Sequence, residues 1–249
     1  MRITLHEAET IVRHARSVFG GEAKVILFGS RVDDMQKGGD IDLYIETEDS
    51  SSSLLEKKLE FIYLLEEVFG EQKIDVVFKK DNLRAIDQQA LSKGIVLDIL
   101  TIKLTKYFNE CDRHIQRIEE AFADMQGIIP LSVERYIKLT KDEVQDIDQF
   151  LFRFSKLQDT MGDKIFRLIL QKYEGSSTNV PFLDMLNKLE RLGCITSAKE
   201  WVHLRKLRNE VSHQYDDEPE EMSQAINALL FQKEIIKEIY HKLRICSEV

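Results

Sequence analysis

Residues 26–46, ILFGSRVDDMQKGGDIDLYIE, decide the fold of the first part of the chain. The apolar run before Gly29 predicts a buried strand, and the alternating DIDLYIE at the other end predicts a second strand with one buried face. A third run, KIDVVF at residues 73–78, has the same alternation. Helical patterns at residues 5–19 and 54–69 separate these runs. The pattern predicts an α+β domain, a mixed sheet with flanking helices.

The turn after the first strand suits phosphate binding. Gly29 has no side chain and Ser30 has only a small hydroxyl, so backbone N–H groups can approach phosphate oxygens closely. Arg31 adds a positive charge at the same place. We therefore predict that Gly29, Ser30 and Arg31 bind the phosphates of a nucleotide. An ordinary tight turn is the alternative interpretation of Gly-Ser taken alone.

Three aspartates follow this turn on the predicted strands. Asp40 and Asp42 are two residues apart on one strand, so their side chains lie on the same face. Two adjacent carboxylates repel each other unless a cation binds them, and Mg²⁺ prefers oxygen ligands. Asp75, on the third strand, adds a carboxylate that could orient or deprotonate an attacking hydroxyl. We predict that Asp40, Asp42 and Asp75 bind Mg²⁺ and catalyse an in-line displacement at a triphosphate.

The ordered set of strand, Gly-Ser-Arg, Asp-x-Asp and later strand aspartate resembles the polymerase-beta nucleotidyltransferase superfamily, in its minimal (MNT) branch. The resemblance covers roughly residues 1–100. In that family Gly-Ser opens the triphosphate loop and the three aspartates hold the metal ions. The resemblance implies a transferase that uses Mg²⁺ and takes ATP or another nucleoside triphosphate as its donor.

The second half of the chain has a different pattern. From residue 101 to residue 249 the apolar positions recur at helical spacing in long amphipathic segments. We predict two domains, 1–100 and 101–249, of which the second is an all-helical bundle.

The segment RNEVSHQY, residues 208–215, lies in one of these predicted helices. Asn209 and His213 are four residues apart and share a helix face, and Arg208 has a side chain long enough to reach the same place. An imidazole can transfer a proton near neutral pH, and a guanidinium can stabilise charge on phosphorus, so the pair could cleave RNA without a metal. A structural or solvent-exposed histidine is the alternative.

Arg-Asn-x-x-x-His in a helical domain resembles the HEPN family, whose ribonucleases dimerise to bring two such motifs together. The resemblance implies that Arg208, Asn209 and His213 are catalytic, that RNA is the substrate and that the chain is a homodimer. MNT and HEPN proteins are partners in toxin-antitoxin pairs, and in one subgroup the MNT protein adenylylates a tyrosine two residues after the histidine. Tyr215 matches that position. An ordinary amphipathic tyrosine near a helix end is the alternative.

Two further functions remain open. A small-molecule nucleotidyltransferase of the aminoglycoside-modifying type also combines this catalytic domain with a helical substrate-binding domain. The helical half could instead serve only for dimerisation or substrate binding.

Charge and cysteine content limit the location of the protein. A net charge of −9 argues against broad adhesion to nucleic acid or to an anionic membrane. There is no apolar run of the roughly 18 residues that a membrane span needs. The three cysteines, Cys111, Cys194 and Cys246, are far apart in sequence and predict reduced structural thiols. We therefore expect a cytoplasmic protein without a membrane partner.

Overall fold

The structure, a computed structural model, describes residues 2–33, 38–48, 53–80, 82–175, 180–213 and 218–248. The chain folds as two compact units, Met1–Lys103 and Leu104–Val249. The division falls within one long helix, Ile99–Asp124.

The first unit contains a small mixed sheet with helices. Its strands are β1 (Lys24–Phe28), β2 (Ile41–Glu46), β3 (Ile74–Phe78) and β4 (Ile95–Val96). Its helices are α1 (Leu5–Phe19), α2 (Leu54–Phe69), α3 (Ala85–Lys93) and the beginning of α4 (Ile99–Asp124). A short 3₁₀ helix, Gly29–Val32, follows β1 directly.

The sheet has the strand order β3-β2-β1-β4. β1 is antiparallel to both β2 and β4, whereas β2 is parallel to β3. The register pairs Phe28 with Asp42 and Asp42 with Asp75. This register places the end of β1 and the beginnings of β2 and β3 at the same edge of the sheet.

Strand alternation divides the sheet into two apolar faces. One face carries Leu27, Leu43 and other buried residues that form a core with α1 and α2. The opposite face carries Phe28 and Tyr44, which pack with Ala90 of α3. Asp42 is two residues before Tyr44 in β2, so it belongs to the α3 face of the sheet.

Helix α1 begins where the sequence indicates. The Thr4 side chain accepts a hydrogen bond from the Glu7 backbone N–H, and the Glu7 carboxylate accepts one from the Thr4 N–H, which is a complete capping box. The helix ends before Gly20, whose φ of 104° lies in the left-handed region.

The second unit is mostly helical. It contains most of α4, then α5 (Val133–Ile137), α6 (Lys141–Thr160), α7 (Phe166–Glu174), α8 (Phe182–Arg191), α9 (Ala198–His213), α10 (Pro219–Leu230) and α11 (Lys233–Glu248). A π-helix, Met161–Ile165, joins α6 to α7. Helix α9 packs against α6, α8 and α10.

Helix α4 is tied to α11 by charged side chains as well as by apolar packing. Arg244 donates to both carboxylate oxygens of Asp112, each at 3.0 Å. Glu119 accepts a hydrogen bond from Lys233 at 2.6 Å and another from Lys237. These contacts hold α4 and α11 together in the second unit.

The prediction of three reduced thiols is wrong for one pair of cysteines. Cys194 and Cys246 form a disulfide with Cα atoms 5.4 Å apart, whereas Cys111 is free and buried. The two partners are 52 residues apart in sequence, so their spacing gave no sign of contact. The cytoplasmic location stays a prediction and loses the support of these two thiols.

In the described ranges, no helix combines the length and the apolar character that a bilayer crossing requires.

Candidate active site

Gly29 brings the backbone of the first loop directly against Asp42. Its φ is +74°, and a Cβ at this position would lie 2.0 Å from Asp42 Oδ2. Only a glycine therefore fits between the end of β1 and the carboxylate. Ser30 follows in the same 3₁₀ turn, and a Cβ on Gly38 would lie 2.1 Å from its Oγ.

The three aspartates are placed by two neighbouring strands. Asp40 immediately precedes β2, Asp42 is its second residue, and Asp75 is the second residue of the parallel strand β3. Asp42 and Asp75 are direct register partners. Because residues at paired positions of adjacent strands lie on the same face, these carboxylates belong to one surface of the sheet.

Lys73 lies among these carboxylates. Its Nζ is 2.6 Å from Asp40 Oδ2 and 3.4 Å from Asp75 Oδ2. The hydrogen bond to Asp40 is the largest cause of a raised Lys73 pKa, so the ammonium stays charged. The Lys73 ammonium therefore bridges the two carboxylates at the beginnings of β2 and β3.

The pKa of Asp42 is raised above its ordinary value. Partial burial is the largest cause, followed by repulsion from Asp75 and then from Asp40, and the charges of Lys73 and Arg31 oppose the shift. A half-buried carboxylate with two like-charged neighbours is a favourable place for a cation.

The donor set suits a hard divalent cation. Asp40, Asp42 and Asp75 supply the carboxylate oxygens that Mg²⁺ prefers, on one face of the sheet. Among the described residues, however, no three His, Cys, Asp or Glu side chains converge as ligands of a single ion. In this structure the Lys73 ammonium contacts oxygens of Asp40 and Asp75.

Arg31 makes its contacts within the loop. Its Nη2 donates to the Gly39 carbonyl at 2.6 Å and its Nη1 donates to the Arg2 carbonyl at 3.3 Å. Arg2 in turn donates to the carbonyls of Ser30 at 2.9 Å and Gly38 at 3.1 Å. The two arginines hold the described ends of the loop in place, so in this structure Arg31 positions the loop that was predicted to bind phosphate.

Sequence reasoning missed Arg2 and Lys73. Arg2 precedes the first helix and has no motif around it. Lys73 could have been found, because it lies two residues before Asp75 in the KIDVVF strand pattern and therefore on the same strand face. That spacing becomes useful only once the pairing of β2 with β3 is known.

An acidic depression lies next to this cluster in the same unit. Its volume is about 590 Å³. It is lined by Tyr63, Glu66, Glu67, Gly70, Glu71, Gln72 and Lys73. Lys73 therefore borders both the aspartates and a surface that carries three glutamates.

The motif residues of the second unit do not all lie together. Arg208 is mostly buried, and its Nη1 donates to Asp159 Oδ1 of α6 at 3.2 Å. It borders a small cavity of about 40 Å³ that Gln158 and Trp201 also line. The guanidinium is thus held against α6 by its ion pair with Asp159.

Asn209 is exposed, and the surface around it adjoins the Arg208 cavity because Arg205 borders both. With Arg205, Lys206 and Glu210, Asn209 lines a shallow depression of about 460 Å³. Consecutive residues of a helix point in different directions, so Arg208 and Asn209 diverge although they are neighbours in sequence. The shared face of Arg205 and Asn209 agrees with their four-residue spacing.

The positive charges near the motif are partly compensated. Lys206 pairs with Glu210 at 3.4 Å, and the Arg205 guanidinium lies over the Phe182 ring at 5.0 Å. The backbone of His213 ends α9, but its side chain lies outside the described part of the structure, as does the whole of Tyr215.

A comparison with protein families gives one match, within the first unit. Residues 21–98 match the family model described as Polymerase beta, Nucleotidyltransferase. The matched stretch contains all four strands of the sheet together with Gly29 and the three aspartates. The match supports the predicted polymerase-beta resemblance and a nucleotidyl transfer activity. No curated protein and no solved structure gives a significant match.

Proposed function

We propose that the first unit transfers AMP from ATP to a hydroxyl group in a magnesium-dependent reaction. The observation that supports this most directly is the contact between Gly29 and Asp42, with Asp75 as the register partner of Asp42. This arrangement lies inside the region that matches the nucleotidyltransferase family.

Each residue has a defined part in the proposed reaction. Asp40, Asp42 and Asp75 would hold Mg²⁺, which when bound neutralises phosphate charge and polarises the reacting phosphoryl group. The backbone at Gly29 and Ser30 receives the triphosphate, with Arg31 and Arg2 fixing that loop.

Asp75 is the residue best placed to accept the proton. Its side chain is 56% exposed, so an acceptor hydroxyl can reach it from solvent. The acceptor oxygen forms a bond to the α-phosphorus, the bond to the β-phosphate oxygen breaks, and pyrophosphate leaves. The hydroxyl proton goes to the Asp75 carboxylate.

We propose a protein acceptor, with Tyr215 as the acceptor residue. The second unit would then be a HEPN-type, metal-independent ribonuclease or an inactive relative, and the chain would combine the two halves of a toxin-antitoxin pair and act as a homodimer. Support comes from the helical unit that carries Arg208, Asn209 and His213 on α9. Because Arg208 pairs with Asp159, an RNA phosphate has to compete with that carboxylate.

A small-molecule acceptor is the second candidate. The acidic depression beside Lys73 favours it, because Glu66, Glu67 and Glu71 would attract a polycation such as an aminoglycoside. In this alternative the helical unit binds substrate and Tyr215 has no part in the reaction.

Radiolabelled ATP distinguishes these acceptors. The purified chain is incubated with [α-³²P]ATP and Mg²⁺, with and without a panel of aminoglycosides, and label is followed on protein and on small molecules. We expect label on protein, and loss of all transfer in Asp40→Asn with Asp42→Asn. The control is Asp184→Asn, which changes an exposed aspartate of α8 and should leave transfer intact. Full transfer in the double variant would contradict the assignment of the aspartates.

The proposed ribonuclease has its own test. We expect Arg208→Ala and His213→Ala to remove metal-independent RNA cleavage in the presence of EDTA. Arg117→Ala, which removes an exposed arginine paired with Glu120 on α4, is expected to leave cleavage unchanged. Equal cleavage by all three variants would show that the nuclease site lies elsewhere.

A further inference from the structure

Lys73 places its ammonium between two of the aspartates that are proposed to hold the metal ion. Its ammonium contacts Asp40 at 2.6 Å and Asp75 at 3.4 Å, and its charge also lowers the pKa of Asp42. The three carboxylates that interact with Lys73 are the ones that would hold the metal ion. A metal ion and the ammonium therefore compete for the same oxygen atoms.

We propose that Lys73 is the internal counter-ion of this aspartate cluster, and that a divalent metal ion binds by displacing its ammonium from Asp40 and Asp75. The inference rests on the proposed function, because it takes the aspartates to be the metal ligands. In this proposal, Lys73 controls how tightly the metal ion binds before a nucleotide is present.

The exposure of the pair makes such an exchange feasible. The Lys73 side chain is 66% exposed and the Asp40 side chain is 44% exposed, so the ammonium can move into water. Ion pairs in such positions are weak, and a lysine has a flexible stem with several rotatable bonds. The hydrogen bond to Asp40 can therefore open without disturbing the strands.

The cluster also needs a counter-ion when the metal is absent. Asp42 and Asp75 are register partners and Asp40 lies two residues before Asp42, so three carboxylates are gathered at one edge of the sheet with the Lys73 ammonium beside them. Without the ammonium the repulsion would be larger, and a divalent ion would gain more by binding. Lys73 thus keeps the ligands together and at the same time lowers the affinity for the free metal ion.

Binding of Mn²⁺ to the full chain tests the proposal. Free Mn²⁺ is measured by electron paramagnetic resonance at low ionic strength and without nucleotide, so the result does not depend on transfer activity. We expect Lys73→Met to bind Mn²⁺ roughly tenfold more tightly than the wild type, since one competing charge is lost. Lys73→Arg, which keeps the charge, should bind with an affinity near that of the wild type.

Lys79→Met is the matched control. Lys73 precedes β3, whereas Lys79 follows it at the opposite end, away from the aspartates. Lys79 pairs with Glu46 at 3.8 Å. It loses the same charge and should leave Mn²⁺ affinity unchanged. Circular dichroism of each variant establishes that the fold is retained.

The possible outcomes separate this proposal from the one on which it rests. If Lys73→Met binds Mn²⁺ no more tightly than Lys79→Met, while the wild type binds well, the counter-ion role is wrong and the metal site stands. If neither the wild type nor Lys73→Met binds Mn²⁺, and Asp42→Asn retains full transfer, the metal site and the counter-ion role both fail.

Discussion

Gly29 links backbone conformation to the chemistry of the candidate active site. Its positive φ disfavours any other residue, and a Cβ would come within 2.0 Å of the Asp42 carboxylate. We expect Gly29→Ala to move Asp42 and to lower nucleotide transfer by about 100-fold, as misplacement of a catalytic group by about 1 Å can do. Transfer of label from ATP and the melting temperature are both measured.

Gly21→Ala is the control for this variant. Nothing lies within 4 Å of a Cβ built there, and its φ is not in the left-handed region. We expect it to transfer AMP like the wild type. A fully active Gly29→Ala would mean that the close contact with Asp42 is not required for the reaction.

Asp87 lies in α3, which packs on the sheet face opposite α1. Its ionisation makes the stability of the first unit depend on pH. It is fully buried, and hydrogen bonds from the Arg84 side chain are the main cause of a pKa lowered to about 2 from an ordinary value of 3.8. Its contribution to stability is therefore complete above about pH 4 and is lost as the pH falls towards 2. We expect Asp87→Asn to lower the melting temperature clearly at neutral pH and far less near pH 2.

Asp184→Asn is the control for Asp87→Asn. Asp184 occupies the third position of α8, as Asp87 does in α3, but it is exposed. We expect little change in its melting temperature at either pH. If Asp87→Asn loses equal stability at both pH values, the loss comes from packing and the ionised carboxylate is not its cause.

The sequence shows which aspartates share a strand face, but it does not show the contacts between strands. Asp40 and Asp42 share a face by strand alternation alone, so their relation required no structure. The pairing of Asp42 with Asp75 and the bridge through Lys73 depend on the register between β2 and β3. That register arises from tertiary packing, so residue spacing within one strand could not reveal it.

Among the elements, helix boundaries follow capping residues. One amphipathic pattern across residues 133–157 suggested a continuous segment, but the structure divides it into α5 and α6. The Thr140 side chain accepts a hydrogen bond from the Glu143 N–H, and the Glu143 carboxylate accepts one from the Thr140 N–H. This capping box starts a new helix, and its sequence signal was available at Thr140 and Glu143.

The π-helix between α6 and α7 was not predictable from periodicity, yet it positions the surroundings of Arg208. Gly162 lies in this segment, and a Cβ there would be 3.1 Å from Trp201 Cζ2 and 3.8 Å from Phe182 Cζ. Trp201 is buried in the core, as its spacing on α9 predicts. The absence of a side chain at Gly162 allows α9 to approach the π-helix closely.

We expect Gly162→Val to reduce the free energy of unfolding by about 1 to 3 kcal/mol, because its branched side chain overpacks the contact with Trp201. Urea denaturation followed by tryptophan fluorescence measures this directly, since Trp201 is the single tryptophan. Gly127→Val is the control, since nothing lies within 4 Å of a Cβ at Gly127. Equal stability of both variants and the wild type would indicate that the π-helix adjusts to the added bulk.

At the scale of the whole molecule, the chain combines a unit that matches the nucleotidyltransferase family model with a helical unit that bears the Arg208 motif. The change from alternating to helical pattern near residue 100 was visible in sequence, and the two compact units meet at Lys103 and Leu104. The acceptor of the proposed transfer could not be predicted from the first unit, because an acceptor leaves no pattern in the residues that bind the nucleotide.

Modification of Tyr215 would connect the two units. AMP on this residue places a phosphodiester and an adenosine two residues after His213, where charge and bulk would hinder RNA binding. After incubation with ATP and Mg²⁺, we expect peptide mass spectrometry to find one or more AMP additions on the peptide that contains Tyr215. Tyr215→Phe and the Asp40/Asp42 double variant should lack them, whereas Tyr173→Phe, which alters another tyrosine of the helical unit, should retain them.

Mixing two inactive partners decides whether the transfer occurs within one chain or between chains. Asp42→Asn has an intact acceptor and no transferase, and Tyr215→Phe has an intact transferase and no acceptor. If transfer occurs between protomers, AMP appears on the Asp42→Asn chain in the mixture. If it occurs only within one chain, favoured by the high effective concentration of a tethered acceptor, the mixture stays unmodified while the wild type is labelled. AMP found only on other residues of the wild type would reject Tyr215 as the acceptor and leave the transferase assignment intact.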